Sequence, residues 1–474
     1  MSNAPIGVVY GNGQGQPIAG IEEYRSGAQS GMKVVLLQPR FDEPEPLASR
    51  TESLGLGYIA SVLRRDGHEV ELLDAQLRNL TRKETVQEVL AREFDCLGIT
   101  AADAHKKTLI STVRAVRRKR RNAIIVVGGY LPTLSMEQLL AACPEIDFVI
   151  RGEGETVASD VFGRISRSEE WRDTPGIAFL KDGAPVLNQP PPLIKDLDSL
   201  PFPARDALNQ SVAPAPALVS SSRGCYHRCA FCCIHTFYGV SGSRVPRYRS
   251  PESVVNEIES VAAATGIKKI GFVDDDFVGP GAKNRERVTR IAEEIRARKL
   301  GITFSAEFRA DEIDDDLLKV LKEAGLTRVL IGIESGVQRQ LGTYNKRITV
   351  EQNRRAIETV RRSGLDFSAG FIMLDPYVTV DEIEQNLRFM RETGLSGRAN
   401  IASVQSMMRL KIFHGLPLTE QLRQEGLLRE KGLHLDYVFK DAQFRQIYRM
   451  ITALGTCSKP LKCLRRLFAR RTAA

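Results

Sequence analysis

Short apolar runs alternate with amphipathic stretches along the first third of the chain, beginning at Met32. The apolar runs are KVVLLQP (33–39), EVELLDA (69–75), CLGIT (96–100), AIIVVGG (123–129) and FVIRGEGE (148–155). Such runs are typical of strands buried on both faces of a parallel sheet, and the amphipathic stretches predict covering helices. The pattern predicts a doubly wound α/β domain over residues 32–170, after a loose Gly-rich and polar extension at 1–31.

A second α/β series follows a proline-rich segment. The prolines of NQPPPLIKDLDSLPFPARDAL (188–208) lack a backbone N–H, so we interpret residues 171–214 as a linker. Further strands are predicted at APALVSSSRGC (215–225), KIGFVDDDF (269–277), ITFSAEFRAD (302–311), RVLIGIESG (328–336), DFSAGFIMLD (366–375) and ANIASVQSMM (399–408). Helical stretches separate them. The series predicts a partial (β/α)6 barrel over 215–410, followed by a short helical, basic region at 411–474.

The carboxyl ends of parallel strands are where both kinds of sheet bind ligands. In the first domain these ends carry QPRFDEP, ITAADAH, GGYLPT and RGEGE. Gly128, Gly129 and Gly152 allow a ligand to approach the backbone closely, although glycines at these points also serve tight strand-to-helix turns. Both interpretations stay open at this level.

Charge and cysteine usage narrow the class of protein. The net charge is +9, with basic runs at RRKRR (117–121) and CLRRLFARR (463–471). Neither run is interleaved with aromatic residues, so solvated helix faces and an exposed tail are favoured over a nucleic-acid surface. Eight cysteines in 474 residues are too few for a disulfide scaffold. With no signal peptide and no apolar run of about 20 residues, we expect a soluble, cytoplasmic protein without a membrane span.

Four of the cysteines crowd into RGCYHRCAFCC (223–233). Structural zinc usually needs two separated pairs, and the second pair, Cys457 and Cys463, has unsuitable spacing. A lone nucleophile needs no companions. Cys225, Cys229 and Cys232, spaced C-x3-C-x2-C, instead suit three corners of an iron–sulfur cubane whose fourth iron is open.

The neighbours of these cysteines fit such a cluster. Cys233 falls outside the spacing and is interpreted as a buried bystander. We expect the aromatic rings to exclude water from the cluster and the basic side chains to offset the thiolate charge, a set that comprises Phe231, Phe237, Arg223, His227 and Arg228.

C-x3-C-x2-C with Phe231 resembles the radical S-adenosylmethionine (SAM) superfamily, and the preceding domain resembles its cobalamin (B12)-binding branch. The resemblance spans about residues 32–430 and includes SLGLGYIASVLRRDGHEVELLDA, GGYLPT, DFVIRGEGE, LDSLPFPARDAL, IGIESG and FIMLDPYVTVDEI. It implies a Rossmann-like cobalamin-binding-type domain before a radical SAM partial barrel. It also implies a [4Fe–4S] cluster on the three cysteines, whose open iron chelates SAM and yields a 5′-deoxyadenosyl radical.

The resemblance also assigns further residues. Asp274, Asp275 and Asp276 stand where the family carries a glycine motif beside the SAM amino group. We expect cofactor contacts from Glu307, Arg309, Glu334, Ser335 and the segment Met373–Pro376, where Leu374 and Asp375 replace a glycine common in the family. His235 and Tyr238 join the three aspartates as candidate catalytic acids and bases. Each acid could equally be a solvated carboxylate at a strand end.

Cobalamin binding is the least constrained of these expectations. Asp103 and His105 have the spacing of D-x-H-x-x-G without its glycine, so His105 is interpreted as an ordinary surface residue. Leu131 stands where many relatives have a histidine. Gly128, Gly129 and Gly152 are the expected contacts to the corrinoid. The pocket therefore either holds cobalamin without a protein ligand to cobalt or is vestigial.

The leading hypothesis is cobalamin-dependent C-methylation of a small molecule in secondary metabolism, such as antibiotic biosynthesis. A cobalamin-independent radical SAM diol-dehydratase acting on an aminoglycoside or sugar-like substrate is the alternative. An RNA-modifying methylthiotransferase would need a second cysteine triad, and Cys96 and Cys143 do not supply one, so nucleic acid is not an expected partner. A simple electron carrier would bind its cluster with four protein ligands. The expected redox partner is a flavodoxin, a ferredoxin or a reductase.

Overall fold

The computed structural model describes residues 31–43, 50–243, 245–395 and 409–453. Its contacts divide the chain into two compact units. The first holds the described residues up to Val219, together with His235–Arg249 and Asn256–Lys269. The second holds Ser220–Ile234, Ser250–Val255 and the described residues from Ile270 onward.

The first unit is built on a seven-stranded sheet in the order β2-β1-β3-β4-β5-β6-β7. Its strands are β1 Lys33–Gln38, β2 Glu69–Asp74, β3 Cys96–Thr100, β4 Ile124–Gly128, β5 Phe148–Ile150, β6 Ile177–Lys181 and β7 Ala184–Leu187. The first five pair in parallel, as the apolar runs predicted. The helices are α1 Leu54–Arg65, α2 Arg82–Leu90, α3 Lys106–Lys119, α4 Tyr130–Leu134, α5 Met136–Ala142 and α6 Glu155–Ser166.

The core on one side of this sheet explains why the strand runs are continuously apolar. Apolar faces of α1 and α6 pack on the strands, and the participants include Leu56, Ala60, Leu63, Val161, Phe162, Val34, Leu36, Val126 and Phe148. Trp171, the single tryptophan of the chain, is 2% exposed and packs against Phe148 with ring centroids 4.8 Å apart and the ring planes tilted by 45°. The core therefore extends past residue 170, where the sequence pattern ended the domain.

The two antiparallel strands β6 and β7 extend the sheet into the segment interpreted as a linker. They form a hairpin whose turn residues Asp182 and Gly183 have φ of 51° and 79°, as a tight turn between right-twisted strands requires. The sequence signal was present in FLKDGAPV, two apolar runs around Asp-Gly. The prolines that follow concealed it. The predicted boundaries at 170/171 and 214/215 stay predictions for the functional domains.

A buried ion network anchors the proline-rich strap within the first unit. Arg205 donates to Glu52 Oε1 and Glu257 Oε1, each at 2.5 Å, and Glu257 also pairs with Arg249. Glu52 further accepts from the backbone N–H of Leu218 at 2.9 Å. All four charged side chains are at most 11% exposed. The network fixes the strap to the start of α1 and to helix α8 (Pro251–Thr265).

Replacing Glu257 by Ala should lower the unfolding free energy by about 3–5 kcal/mol, because it removes the buried carboxylate that pairs with both Arg205 and Arg249 and leaves Arg205 with Glu52 alone. Calorimetric melting of the full chain measures the loss. Glu259→Ala changes an exposed acid on the same helix and should cost no more than about 0.5 kcal/mol. Equal melting temperatures for the two variants would contradict a stabilising role for the network.

Downstream, a five-stranded sheet has the order β14-β13-β12-β11-β8. The strands of this part are β8 Ala217–Val219, β9 Ser222–Arg223, β10 Arg247–Tyr248, β11 Lys269–Phe272, β12 Thr303–Arg309, β13 Leu326–Glu334 and β14 Asp366–Phe371. The intervening helices are α7 Ile234–Gly239, α8 Pro251–Thr265, α9 Gly281–Ala297, α10 Asp315–Glu323, α11 Gln338–Thr343, α12 Val350–Ser363 and α13 Val380–Glu392. Five of the six predicted βα units are thus present, and the sixth strand (399–408) lies outside the described residues.

The region after the barrel is not purely helical, which corrects the sequence expectation for 411–474. Helices α14 Pro417–Gln424 and α15 Ala442–Ala453 flank a hairpin of β15 Leu428–Lys431 and β16 His434–Tyr437. Gly432 supplies the positive φ (55°) of its turn. Cys457, Cys463 and the terminal basic run lie outside the described residues. Within the described ranges, no helix has the length and hydropathy needed to cross a membrane.

Candidate active site

The cysteine loop is held in a defined conformation by backbone hydrogen bonds within the second unit. Gly224 has φ of +87°, and its N–H donates to Asp275 Oδ2 at 3.0 Å. Further along, the N–H of Ala230 donates to the carbonyl of Tyr344 at 2.8 Å. The N–H of Cys232 donates to the carbonyl of Cys229 at 3.1 Å, which forms a tight turn between these two thiols. Phe231 packs edge-on against Tyr344, with centroids 5.6 Å apart.

The loop thiols are reduced and half-buried. Burial raises the pKa of Cys225 to about 12 and that of Cys233 to about 11, and it also raises the pKa of Cys229 and of Cys232. Such thiols become ligands only when a metal displaces their protons. Cys233 is half-buried like its neighbours, which corrects its expected full burial.

The arrangement of the thiols suits a cluster better than a single ion. Among the described residues, no three His, Cys, Asp or Glu side chains converge as ligands to one metal ion. A cubane does not need such convergence, because each thiolate binds a different iron. Three half-buried thiols in one short loop with this spacing therefore fit a [4Fe–4S] cluster.

Two cations near Cys229 offset the negative charge of the site. Lys346 donates from Nζ to Glu334 Oε1 at 2.9 Å, and the Lys346 side chain is 7% exposed. Burial depresses the pKa of Lys346, but Glu334 and Cys229 outweigh it, so the pKa is raised and the lysine is charged. Arg309 donates to the carbonyl of Lys346 at 2.9 Å, and both cations oppose the rise in the Cys229 pKa.

The cations found beside Cys229 are not those expected from the sequence to balance the thiolates, and that role of Arg223 and Arg228 stays a prediction. Burial, followed by repulsion from the charge of Arg309, lowers the pKa of His227 to about 4. This histidine is therefore neutral and does not offset thiolate charge. Lys346 was missed, because nothing in TYNKRIT marks it as facing the site. Gly332 leaves the space for Lys346: a Cβ there would lie 2.7 Å from Nζ.

Replacing Lys346 by Met should lower the midpoint potential of the reconstituted cluster and slow SAM cleavage by about tenfold, because a buried positive charge favours the reduced, more negative cluster. Redox titration followed by EPR spectroscopy, with 5′-deoxyadenosine formation, measures both. Lys319→Met removes an exposed lysine from α10 and should change neither. An unchanged potential in Lys346→Met would refute the electrostatic role.

The three consecutive aspartates have different surroundings. Asp274 is 2% exposed, and its carboxylate accepts from the Ser221 N–H at 3.1 Å, the Ser221 hydroxyl at 2.8 Å and the Ser222 hydroxyl at 2.5 Å. Its acceptor capacity is used for positioning the chain before the cysteine loop, so its expected catalytic role is not supported. The signal was the triple serine SSS (220–222) before the first cysteine.

Burial raises the pKa of all three aspartates, and Asp275 and Asp276 lie closest to other carboxyl groups of the site. Burial raises the pKa of Asp275 to about 7, with contributions from the flanking Asp274 and Asp276. The carboxyl groups of Asp276 and Glu312 form a pair. Burial is the main reason that the pKa of Glu312 is raised to about 9, and repulsion from Asp276 is the second. Tyr226 donates to Glu312 at 3.2 Å. Glu312 was not among the predicted residues.

Glu334, the last residue of β13, and Ser335, which follows it, are both predicted cofactor contacts, but their surroundings differ. Glu334 has φ of +60°, a left-handed conformation that is strained for a non-glycine residue and aims its carboxylate at Lys346. Ser335 is fully buried and bonds Gln340 at 2.5 Å and Asn386 at 3.0 Å. Its hydroxyl is used inside the protein, which does not support side-chain contact with a cofactor.

The Leu374-Asp375-Pro376 segment is also tied into the protein. Asp375 is fully buried and accepts from Gln340 and Tyr344, each at 2.7 Å. Pro376 is buried, and its carbonyl accepts from the Lys440 N–H at 2.8 Å. Asp375 therefore stabilises the turn after β14. The cofactor contact of Pro376 stays a prediction.

A cavity of about 410 Å³ lies along the inner face of β12, β13 and β14. Its lining includes Asp275, Glu307, Arg328, Leu330 and Ser368. The Glu307 side chain is exposed to this cavity. The surrounding protein still desolvates its carboxylate, and this effect, followed by repulsion from Glu334, raises its pKa to about 7. Two carboxyl groups that exchange protons near neutrality thus face a space of the size of a small-molecule pocket.

In the first unit, the three predicted glycines lie at the carboxyl edge of the sheet, and Gly128 is the one among them with open space beside it. Gly128 ends β4, and a Cβ there would meet only the carbonyl of Ile150, at an ordinary 3.9 Å. Gly129 and Gly152 have φ of +99° and +71°, and the Gly152 N–H donates to Thr133 Oγ1 at 2.9 Å. Gly128 thus offers open backbone to a flat ligand, which fits a corrinoid, whereas a Cβ at Gly129 would lie 2.9 Å from the carbonyl of Ala101 and one at Gly152 would lie 3.4 Å from Ser241 Oγ.

His105 is buried, which corrects its interpretation as a surface residue. It is 4% exposed and stacks on Phe41 with centroids 4.8 Å apart. Its Nδ1 accepts from the Ala102 N–H at 2.9 Å, and its Nε2 lies 3.3 Å from Gln38 Nε2. Burial lowers its pKa to about 4. Since both ring nitrogens face protein groups, His105 is not arranged as a cobalt ligand.

His235 and Tyr238 lie on α7 in the first unit, whereas the aspartates lie in the second. Tyr238 packs at right angles to Phe237, with centroids 5.1 Å apart, and the Arg247 guanidinium lies 5.4 Å from its ring. The Phe237 ring also packs against that of Tyr130, with ring centroids 4.6 Å apart. The catalytic roles of His235 and Tyr238, and the shielding role of Phe237, stay predictions.

Comparison with known proteins identifies both units. The family model described as the radical SAM superfamily matches residues 219–390, and the B12 binding domain model matches residues 46–162. The radical SAM domain implies the predicted [4Fe–4S] cluster and SAM, and the second match supports the cobalamin prediction.

Relatives and solved structures agree with this assignment. An uncharacterized methyltransferase, PH0819, from Pyrococcus horikoshii is 30% identical over 76% of this chain and 78% of its own length. The hopanoid C-3 methylase of Methylococcus capsulatus is 26% identical over 72% of this chain and 64% of its own length. The structure of OxsB, a cobalamin-dependent radical SAM enzyme with aqua-cobalamin and SAM bound, matches with a TM-score of 0.73 at 21% identity, covering 94% of this chain and 71% of OxsB. The chain belongs to the radical SAM superfamily of enzymes, in the branch that carries a B12-binding domain.

Proposed function

We propose that this enzyme methylates an unactivated carbon of a small molecule in a cobalamin-dependent radical SAM reaction. The observation that carries the proposal is the combination, in one chain, of a three-thiol loop with a B12-binding domain whose Gly128 leaves the backbone open at the carboxyl edge of the sheet. When bound, the cluster and SAM supply a hydrogen-abstracting radical, and cobalamin supplies a transferable methyl group. Two SAM molecules are consumed in each turnover.

The residues of the second unit have the following proposed roles. Cys225, Cys229 and Cys232 hold the cluster, and Lys346 with Arg309 balances its charge. Asp275 and Glu307, whose pKa values are raised to about 7, are proposed to hold the substrate by hydrogen bonds, because the hydrogen removed from the carbon leaves with 5′-deoxyadenosine and methylation releases no proton. Glu334 and Pro376 remain candidates for contact with SAM. In the first unit, Gly128, Gly129 and Gly152 are proposed to receive the corrinoid.

Relatives favour methylation over the dehydratase alternative. Beside the hopanoid methylase, the cytidylyl-2-hydroxyethylphosphonate methyltransferase of Streptomyces wedmorensis is 27% identical over 78% of this chain. Other relatives bear other activities, such as the 4′-phospho-dehydrooxetanocin synthase of Priestia megaterium, of whose length this chain covers 48%. A role in antibiotic or other secondary metabolism is consistent with these names. We also propose a cytoplasmic location and reduction by a flavodoxin, a ferredoxin or a reductase.

Anaerobic incubation with SAM, reductant, cobalamin and a panel of small metabolites, followed by mass spectrometry, tests the reaction type. Methylation adds one CH2 to a panel member and consumes SAM to both 5′-deoxyadenosine and S-adenosylhomocysteine. Loss of water from a panel member, with no S-adenosylhomocysteine, would instead favour the dehydratase. Omitting cobalamin is the control, and it should suppress only the methylation.

A further inference from the structure

Arg328 is a charged residue that the proposed chemistry does not use. It is the third residue of β13, whose even-numbered side chains Arg328, Leu330 and Glu334 share the inner face of the sheet. Ser305 of β12 and Asp366 of β14 lie beside it in register. Arg328 is exposed and lines the cavity together with Ser305, Glu307, Leu330 and Ser368.

Arg328 differs from Arg309 and Lys346 in having no partner among the residues that the structure describes. Arg309 pairs with Asp311 at 3.0 Å, and Lys346 pairs with Glu334 at 2.9 Å. Across the ranges that the structure describes, Arg328 forms no hydrogen bond or ion pair, not even with Asp366, its neighbour in register. Its five N–H donors therefore remain available to a molecule in the cavity.

The cavity also restricts what such a molecule can be. The hydroxyls of Ser305 and Ser368 add neutral donors along the same wall. The volume of about 410 Å³ suits a small metabolite and not a macromolecule.

We propose that Arg328 binds an oxyanion of the small-molecule substrate, a phosphate ester or a carboxylate, and so determines which substrates enter the cavity. The planar guanidinium can bind either group through two parallel hydrogen bonds. The inference rests on the proposed function in one respect, because it takes the cavity to be the substrate site. The identity of the anion is left to experiment.

Chemical modification of the reconstituted holoenzyme tests the contact directly. Phenylglyoxal should modify Arg328, as peptide mass spectrometry reports. Glycerol 3-phosphate or glycerate should slow this modification about tenfold, in line with a charged hydrogen-bonded pair, whereas neutral glycerol should not. The oxyanion that protects identifies the group. Modification that neither oxyanion slows, or that glycerol slows equally, would overturn the proposal.

Variants separate this inference from the proposed function. Arg328→Gln should abolish the rise in melting temperature that the protecting probe produces, Arg328→Lys should retain part of it, and Arg355→Gln, which changes an exposed arginine on α12, should retain all of it. A full probe response in Arg328→Gln contradicts the inference. Failure of methylation alone, with the probe response dependent on Arg328, contradicts only the proposed reaction.

Discussion

Replacing Cys225, Cys229 or Cys232 by Ala is expected to abolish both the charge-transfer absorbance of the reconstituted cluster and the cleavage of SAM. Each thiol is proposed to bind a different iron, so removal of one opens a corner of the cubane to solvent. The backbone bonds that shape the loop, from Gly224 to Asp275 and from Ala230 to Tyr344, involve none of these side chains. The fold should therefore survive, and activity should fall to background.

Cys233→Ala is the matched control, since Cys233 is adjacent to Cys232 and equally half-buried. It should keep the cluster absorbance and 5′-deoxyadenosine formation close to the wild-type level. Iron and sulfide analysis, with absorption spectra of all four variants, provides the comparison. Loss of the cluster in Cys233→Ala, or its retention in any of the other three, would show that the ligand assignment is wrong.

Replacing Gly128 by Val is expected to remove cobalamin from the protein without unfolding it. A Cβ at Gly128 has ordinary contacts, and Val suits the end of a strand. The added methyl groups project at the carboxyl edge where the corrinoid is proposed to approach. Corrinoid content after reconstitution and desalting should fall at least about tenfold, as expected when a bulky group obstructs a binding surface.

Two further substitutions make this result specific. Gly55→Ala adds a methyl group at a site with nothing within 4 Å and should leave corrinoid content unchanged. Gly129→Val combines a φ of +99° with a would-be Cβ only 2.9 Å from the carbonyl of Ala101, so it should lower the melting temperature as well. Wild-type corrinoid content in a folded Gly128→Val protein would contradict the proposed position of the cofactor.

Much of the fold was predictable because parallel strands buried on both faces leave a strong sequence signal. All five predicted strands of the first sheet are present, four of them within one residue of the predicted bounds at each end, whereas the fifth ends at Ile150 instead of residue 155. The β6–β7 hairpin was missed because the prolines that follow it dominated the interpretation of the segment. Hairpin β15–β16 was missed because its short strands, LREK and HLDY, are largely polar.

Site residues could be predicted where their role depends on one short stretch of sequence, but not where it depends on contacts made in the folded chain. The cysteine spacing is local, and one short loop carries all three thiols. Asp274 and Ser335 looked like cofactor contacts because they lie at strand ends, but contacts with Ser221, Ser222, Gln340 and Asn386 use their polar atoms. Lys346 comes to Cys229 only through the packing of the loop after α11. No periodicity or spacing encodes that approach.

The central claim is that this chain uses SAM both as a radical source and as a methyl donor to cobalamin. The most direct test incubates the reconstituted enzyme anaerobically with trideuteromethyl-labelled SAM, reductant and cobalamin, and then measures the nucleoside products and the mass of the extracted corrinoid. We expect both 5′-deoxyadenosine and S-adenosylhomocysteine, with the label on the corrinoid. A protein that forms 5′-deoxyadenosine alone and leaves the corrinoid unlabelled or unbound would contradict the claim.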